Sequence, residues 1–269
     1  MEIEARRWQR DRGLRTVAEA APLLELRDVS KVFGAVRALN GVNFTVPPGK
    51  VTALTGDNGA GKSSLIKTVS GLWEPSEGEI YWEGERVNFH SPSDAESHGI
   101  TTIYQDLALC DNLDIVQNMF LGHETRRHGL LDESSMELAA RQTLSDLHVT
   151  TIRSIRQPVA SLSGGQRQSV AVAKAVMQDA KLVIMDEPTA ALGVAQTREV
   201  LELIKRLSSQ GTAIILISHN LNDVFAVADQ ISILYLGRMV ASGAAEDFDR
   251  QVLVDYMTTG TTTRAATEG

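Results

Sequence analysis

The sequence Val-Thr-Ala-Leu-Thr-Gly-Asp-Asn-Gly-Ala-Gly-Lys-Ser, residues 51–63, decides the fold expected for this chain. Residues 51–55 form a short apolar strand, and residues 56–63 match the pattern G-x-x-x-x-G-K-[ST]. Residues 63–71 then have the composition of a helix that ends at a glycine. A strand and a helix joined in this way form a phosphate-binding loop, or P-loop. The stretch therefore predicts an α/β core that binds a nucleoside triphosphate.

The loop also predicts how its residues contact the nucleotide. Its glycines let successive N–H groups surround the β-phosphate, while Lys62 reaches the β- and γ-phosphate oxygens. The Ser63 hydroxyl is a ligand for Mg²⁺. The residues assigned to phosphate binding are Gly56, Asp57, Asn58, Gly59, Ala60, Gly61, Lys62, Ser63 and Ser64.

Apolar runs elsewhere extend this core into a sheet. Residues 182–185 and 213–217 are continuous apolar runs typical of buried parallel strands, and a helical stretch follows each. We therefore predict an α/β fold, a P-loop NTPase core with a mostly parallel sheet and helices, an antiparallel β subdomain and a helical subdomain. The other expected strands are residues 23–29, 42–46, 79–82, 86–89, 100–104, 231–236 and 238–241. Helical periodicity covers residues 114–149, most clearly 134–148, and also 195–210 and 221–228.

The composition limits the class of protein. The chain has 269 residues, of which 43% are hydrophobic and 22% charged, as in a soluble globular protein. A net charge of -8 argues against a general nucleic-acid binder. The single Cys110 excludes an internal disulfide and is expected to be a packing residue. Residues 1–22 are expected to be a flexible extension, residues 23–257 the domain and residues 258–269 a disordered tail.

A second phosphate-binding element is predicted at Leu162-Ser163-Gly164-Gly165-Gln166, which opens a helix expected at residues 166–177. A helix start offers unpaired N–H groups and a partial positive charge, which suit an anion. Gly164 and Gly165 let the backbone approach closely, and Ser163 adds a hydroxyl donor. The alternative interpretation is an ordinary capped helix with a glycine-rich lead-in.

Polar residues that follow the apolar strands are candidates for chemistry. Asp186 is placed to hold Mg²⁺, and Glu187 to orient and polarise the water that attacks the γ-phosphate. Gln105 and His219 each follow an expected core strand, at the end where open α/β sheets bind ligands. We assign Gln105 a contact with Mg²⁺ or water, and His219 a contact with the γ-phosphate. Structural roles for these side chains are the alternative.

Phe33 is the candidate for binding the base. An aromatic ring at this position would stack on adenine, with a contribution of about 1–3 kcal/mol by analogy with other base–aromatic contacts.

The order and spacing of these elements resemble an ABC transporter ATPase subunit over residues 23–257. The resemblance rests on Phe33, the P-loop, Gln105, Leu-Ser-Gly-Gly-Gln, Val-Ile-Met-Asp-Glu-Pro-Thr and Ile-Ser-His. It implies a head-to-tail homodimer that binds two ATP molecules with Mg²⁺, each between the P-loop of one copy and Ser163, Gly165 and Gln166 of the other. A helical subdomain at about residues 106–165 would contact integral membrane permease subunits. ATP-driven closure would power alternating access, and hydrolysis would reset it.

A finer resemblance points to sugar uptake. Residues 111–122 and 187–193 look like those of the bacterial importers of ribose, xylose and fructose, and the single cassette is similar to the fructose-type subunits. This implies a peripheral subunit at the cytoplasmic face of the membrane, served by a periplasmic or extracellular sugar-binding protein. The alternatives are an ATPase of another ABC transport system, a non-transport ABC ATPase, and a protein that closes on ATP without turnover.

One residue departs from the family pattern. The family commonly has Asp at position 193, where it contacts the P-loop region of the partner, whereas this chain has Gly193. Glycine has no side chain to make that contact. We therefore expect communication between the two ATP sites to be weaker or differently arranged. Because Glu187 and His219 are both present, an active ATPase is still expected.

Overall fold

The structure of the chain is a computed structural model that describes residues 21–262. The predicted extension therefore lies outside the described residues as far as residue 20, and the predicted tail from residue 263 onward. The last described helix ends at Thr259, so the first two residues of the predicted tail are helical.

The elements follow the order expected for an α/β core with two additional parts. In chain order the strands of the described residues are β1 (Leu24–Phe33), β2 (Val36–Val46), β3 (Val51–Thr55), β4 (Glu77–Trp82), β5 (Glu85–Val87), β6 (Ile100–Ile103), β7 (Arg126–Arg127), β8 (Leu130–Leu131), β9 (Leu182–Asp186), β10 (Ala213–Ile217), β11 (Gln230–Tyr235) and β12 (Arg238–Ala244). The helices are α1 (Lys62–Val69), α2 (Pro92–Ser97), α3 (Ile115–Phe120), α4 (Glu133–Asp146), α5 (Gly164–Met177), α6 (Val194–Ser209), α7 (Leu221–Val227) and α8 (Arg250–Thr259).

The central sheet has the strand order β12-β11-β3-β10-β9-β6. Its strands are parallel except for β12, which pairs antiparallel with β11. Parallel strands bring their carboxyl ends to one edge of the sheet. The residues that follow β3, β6, β9 and β10 are therefore neighbours, although they are far apart in the chain.

The predicted antiparallel flank is confirmed as a sheet with the order β2-β1-β4-β5. Strands β1 and β2 are longer than the sequence pattern indicated, and their pairing continues to Phe33↔Val36. The register shifts between Val29 and Lys31 and again between Lys31 and Val32, beyond the end of the predicted strand. Such bulges interrupt the alternation of apolar residues, which explains why the predicted strands stop short.

The hydrophobic core lies on both faces of the central sheet, because alternate side chains of a strand point to opposite faces. On one face Val183 and Met185 of β9 pack in a cluster that includes residues of α3 to α6. On the other face Ile184 packs with residues of α1 and the antiparallel sheet. The sheet is therefore held between the helical part and the antiparallel part.

The segment between Gln105 and α5 corrects one prediction. The sequence pattern predicts helix over residues 114–149, most clearly 134–148, but α3 ends at Phe120 and α4 begins at Glu133. The hairpin β7–β8 lies between them. Strands of two residues are too short to produce an alternating pattern, so no periodicity in the sequence indicates this hairpin.

Candidate nucleotide-binding site

The P-loop follows β3 in a backbone conformation that requires glycine at two positions. Gly56 has a φ of 153°, and a Cβ atom there would lie 2.2 Å from the carbonyl oxygen of Leu234. Gly61 has a φ of 108°, and a Cβ atom there would lie 2.7 Å from the carbonyl oxygen of Ala38. Both distances are too short for non-bonded atoms. The glycines therefore let the loop curl between the neighbouring β11–β12 and β2 segments.

Lys62 folds back across the loop. Its Nζ atom donates hydrogen bonds to the carbonyl oxygens of Gly56, at 2.7 Å, and Asp57, at 3.0 Å. Burial lowers the pKa of Lys62, while Glu187 and Asp186 act in the opposite direction. The ammonium group therefore stands over the concave side of the loop, where a phosphate would meet it.

The first turn of α1 adds further donors. Lys62, Ser63 and Ser64 are its first three residues, and N–H groups at these positions have no carbonyl partner within the helix. These N–H groups and the ammonium group of Lys62 face the loop. Together they form the set of hydrogen-bond donors that a polyphosphate needs. The residues present therefore fit a nucleoside triphosphate.

The loop, the strand ends and the β11–β12 turn enclose a cleft of about 580 Å³. This brings together P-loop residues, Gln105 after β6 and the acidic pair at the end of β9, as the sequence predicted. The residues lining the cleft are Val36, Arg37, Ala38, Asn58, Gly59, Gly61, Lys62, Ser63, Ser64, Gln105, Asp186, Glu187, Leu236 and Gly237.

Oxygen donors in the cleft fit Mg²⁺. Within residues 21–262, no three or more His, Cys, Asp and Glu side chains are grouped so as to hold a metal ion. The cleft instead contains the Ser63 hydroxyl, the Gln105 amide and the Asp186 carboxylate. Mg²⁺ prefers such oxygen ligands and is commonly held by one or two carboxylates together with substrate phosphates. Burial, and then the neighbouring Glu187, raise the pKa of Asp186. A cation in the cleft would counter both effects.

Glu187 and His219 are in direct contact. The His219 Nδ1 and Glu187 Oε1 atoms are 2.7 Å apart. The Glu187 side chain is 17% exposed, whereas that of His219 is 70% exposed. Glu187 has a φ of 50°, in the left-handed region, and its N–H donates to the carbonyl oxygen of Ile217 on β10. The contact thus joins the ends of two neighbouring strands next to the cleft.

The Leu-Ser-Gly-Gly-Gln segment lies elsewhere. None of Ser163, Gly164, Gly165 and Gln166 is among the described residues that line the cleft. Helix α5 begins at Gly164, two residues earlier than predicted, because Ser163 caps it. The Ser163 side chain accepts a hydrogen bond from the Gln166 N–H, and Gln166 Oε1 accepts one from the Ser163 N–H. Within one chain the segment is therefore a capped helix start.

The two glycines of this segment pack against the loop before α6 and the first turn of α6. A Cβ atom at Gly164 would lie 2.7 Å from Leu192 Cδ2, and one at Gly165 would lie 3.2 Å from Gln196 Cβ. Gly193, between these two neighbours, has open space around it and an ordinary φ of -73° as the N-cap of α6.

Phe33 lies at the end of β1, outside the cleft lining. Its ring packs edge-on against Trp73, with the centroids 4.6 Å apart, and remains 39% exposed. Lys31 Nζ lies 5.2 Å from the Phe33 ring centroid, and Lys67 Nζ lies 4.7 Å from that of Trp73. Sequence reasoning missed this aromatic pair, because Trp73 follows α1 and reaches Phe33 only through the tertiary fold.

Comparisons with known proteins agree on one family. The family model described as ABC transporter matches residues 39–190. The chain is 49% identical to the fructose import ATP-binding protein FrcA of Rhizobium meliloti, over 88% of this chain and 94% of that protein. It is 46% identical to the xylose/arabinose import ATP-binding protein XylG of Sulfolobus acidocaldarius, with the same coverage. The ADP conformation of MJ1267, an ATP-binding cassette of an ABC transporter, superposes with a TM-score of 0.77 at 26% identity, over 88% of this chain and 96% of that chain.

Proposed function

This chain belongs to the ABC transporter family, and from that membership we propose that it is the ATP-hydrolysing subunit that energises import of a sugar. The proposed substrate is a monosaccharide such as fructose or ribose, carried across the cytoplasmic membrane. The observation that carries the enzymatic part is the cleft in which Lys62, Asp186 and Glu187 converge. The sugar is inferred from the relatives that import fructose and xylose or arabinose.

In this proposal the phosphates of ATP bind the first-turn N–H groups of α1 and the ammonium group of Lys62. Ser63, Asp186 and Gln105 would hold Mg²⁺, which neutralises charge on the phosphate oxygens when bound. Glu187 accepts a proton from water as the water oxygen bonds to the γ-phosphorus, and the bond to the bridging oxygen of ADP breaks. His219 holds the Glu187 carboxylate through its Nδ1 atom. In this proposal it also contacts the γ-phosphate.

A second copy of the chain completes the proposed site. Ser163 and the glycines after it lie outside the cleft that they would need to reach within one chain. We assign Ser163, Gly164, Gly165 and Gln166 to the ATP held by the P-loop of the other copy. The Ser163 hydroxyl hydrogen is free to donate to phosphate, because the capping bond uses only its oxygen.

The proposed partners follow from this role. The helical part, residues 106–165, would contact integral membrane permease subunits, and an external sugar-binding protein would deliver the substrate to them. The subunit would sit peripherally at the cytoplasmic face of the membrane. Within residues 21–262 no helix combines the length and the apolar character needed to cross a bilayer.

Phosphate release by purified Glu187→Gln protein tests the enzymatic part. Glutamine keeps the size of the side chain but cannot accept the proton, so we expect turnover to fall by about 10²–10⁴-fold while ATP binding persists. The ATP-bound variant should also dimerise in size-exclusion chromatography. Glu199→Gln, an exposed site on α6, is the matched control and should retain activity. Normal turnover in Glu187→Gln would contradict the role of Glu187.

The dimeric site is tested by Ser163→Arg, with exposed Ser209→Arg as the control. We expect Ser163→Arg to block hydrolysis while each chain still binds a fluorescent ATP analogue. Wild-type turnover per chain should rise with protein concentration. Activity that survives the substitution and does not depend on concentration would contradict completion by a second copy.

The sugar can be identified with the assembled transporter. The chain would be co-purified with its permease from membranes, and ATPase stimulation measured with a panel of sugar-loaded binding proteins. Stimulation by a monosaccharide-loaded protein alone is the expected result, and stimulation by none of them would contradict sugar import.

A further inference from the structure

Asp223 is a buried carboxylate with no role in the mechanism described above. It lies in the first turn of α7 and is 3% exposed. Its Oδ2 atom accepts a hydrogen bond from the Thr189 hydroxyl at 2.5 Å. Burying a polar or charged group costs free energy unless the group is hydrogen-bonded. The bond from Thr189 therefore offsets part of the cost of burying Asp223.

The bond joins the two segments that carry Glu187 and His219. Thr189 is two residues after Glu187, in the loop between β9 and α6, and Asp223 is four residues after His219. Two contacts therefore tie the same two segments together. One is the pair Glu187–His219 beside the cleft, and the other is the pair Thr189–Asp223 beneath it.

The two contacts differ in exposure. The His219 side chain is 70% exposed, so water competes for its contact with Glu187. Asp223 is 3% exposed, and a hydrogen bond in such surroundings is electrostatically stronger than one in water. The hydrogen bond between Thr189 and Asp223 is therefore the stronger of the two contacts.

The backbone at Glu187 needs such support. A non-glycine residue in the left-handed region persists only when its surroundings hold it there. Glu187 has a φ of 50° and Ala191 a φ of 61°. Thr189 lies midway between them, and its carbonyl oxygen also accepts the Leu192 N–H at 3.2 Å. Fixing the Thr189 side chain therefore fixes the middle of the strained loop.

We propose that Asp223 is a positioning residue: it holds Thr189 and thereby places the Glu187 carboxylate for the attacking water and the His219 imidazole for its contact with the γ-phosphate. This inference rests on the ATP hydrolysis proposed above. Neither Asp223 nor Thr189 lines the described cleft, so their effect on turnover would be indirect.

The test compares Thr189→Val, which removes the donor, with Thr189→Ser and Asp223→Asn, which both keep a donor–acceptor pair. Thr52→Val is the matched control, because the buried Thr52 hydroxyl has no hydrogen-bond partner in the described structure. A small displacement at a reacting group can cost about a hundredfold in rate, so we expect Thr189→Val to lower kcat by about 10- to 100-fold. The KM for ATP should stay within about twofold, because ground-state binding is unaffected. Serine and asparagine should restore kcat, and Thr52→Val should match the wild type.

Three kinetic outcomes would overturn the inference. They are an unchanged kcat in Thr189→Val, equal impairment in Thr189→Ser, and a KM that rises in proportion to the loss of kcat/KM. A second measurement does not need turnover, since ¹⁵N NMR of the nucleotide-free protein reports the His219 imidazole directly. Its Nδ1 signal should shift in Thr189→Val and not in Thr52→Val. A wild-type chain that releases no phosphate would refute the proposed function, whereas an unmoved His219 signal would refute only the positioning role.

Discussion

The same substitution, glycine to alanine, is expected to reduce the free energy of unfolding by different amounts at two positions of the P-loop. Alanine at Gly56 and alanine at Gly59 add the same methyl group three residues apart in the same loop. At Gly56 the new Cβ atom would lie 2.2 Å from the Leu234 carbonyl oxygen, whereas at Gly59 nothing lies within 4 Å. Both residues have positive φ values, 153° and 79°. Gly56→Ala therefore carries a steric cost that Gly59→Ala does not.

The magnitudes follow from these distances and angles. At Gly59 alanine is destabilised only by the left-handed conformation, which costs about 1–2 kcal/mol. Alanine also lowers the conformational entropy of the unfolded chain, which offsets about 0.4–1 kcal/mol of this loss. At Gly56 the backbone region is essentially restricted to glycine, which costs about 1–3 kcal/mol, and overpacking against Leu234 adds about 1–3 kcal/mol. The unfolded chain returns the same amount for both variants, so we expect Gly59→Ala to lose about 1 kcal/mol of unfolding free energy and Gly56→Ala about 3 kcal/mol.

Urea denaturation followed by far-ultraviolet circular dichroism measures both losses. The slope of unfolding free energy against urea is about 1–3 kcal/mol per molar for small domains and rises with size, so Gly56→Ala should lower the midpoint by more than about 1 M. The Gly59→Ala midpoint should stay within about half a molar of the wild type. Equal midpoints for the two variants would refute the contact between Gly56 and Leu234 as the reason for glycine.

Three further substitutions test other parts of the site. Because burial raises the pKa of Asp186 in the folded chain, its ionised form costs stability above that pKa, and Asp186→Asn should raise the urea midpoint at about pH 7.5. The gain should vanish below about pH 3.9, where aspartate is protonated in both states, and its absence at neutral pH would contradict the burial argument. Gly193→Asp should add an N-cap acceptor to α6 and stabilise the chain by about 0.5–1 kcal/mol relative to Gly193→Ala, so equal midpoints would contradict it. Phe33→Ala should weaken ATP binding about 5- to 150-fold in titrations with a fluorescent analogue if the ring stacks on adenine, and unchanged affinity would remove that role.

Much of the site was predictable because its signals are local. The strand β3, the P-loop and α1 are contiguous, so a single stretch specifies each of them. Asp186, Gln105 and His219 each follow an apolar run, and parallel pairing then brings them to one edge of the sheet. The prediction that Asp186 and Gln105 share a cleft with the P-loop needed only the rule that ligands bind at the carboxyl ends of strands.

The remainder depends on contacts between distant segments. Val36 and Leu236 line the cleft and are 65% and 69% exposed, although nothing in their own surroundings in the chain marks them. They arrive there because the β2 and β11–β12 turns meet the P-loop, through contacts such as the Gly237 N–H with the Ala60 carbonyl oxygen. The bond between Thr189 and Asp223 joins residues 34 apart in the chain and likewise has no local signal.

The close packing of Gly164 and Gly165 on the start of α6 and the loop before it bears on how two ATP sites would affect each other. In each chain the segment proposed to bind the other copy's phosphate rests on Leu192, at the end of the loop that carries Glu187, and on Gln196 in the first turn of α6. A displacement of the loop that carries Glu187 would therefore press directly on the phosphate site offered to the partner. The coupling would be transmitted by steric packing and not by charges, so it needs no acidic side chain at Gly193. Because salt screens charges and not steric contacts, cooperativity transmitted this way should persist at high ionic strength.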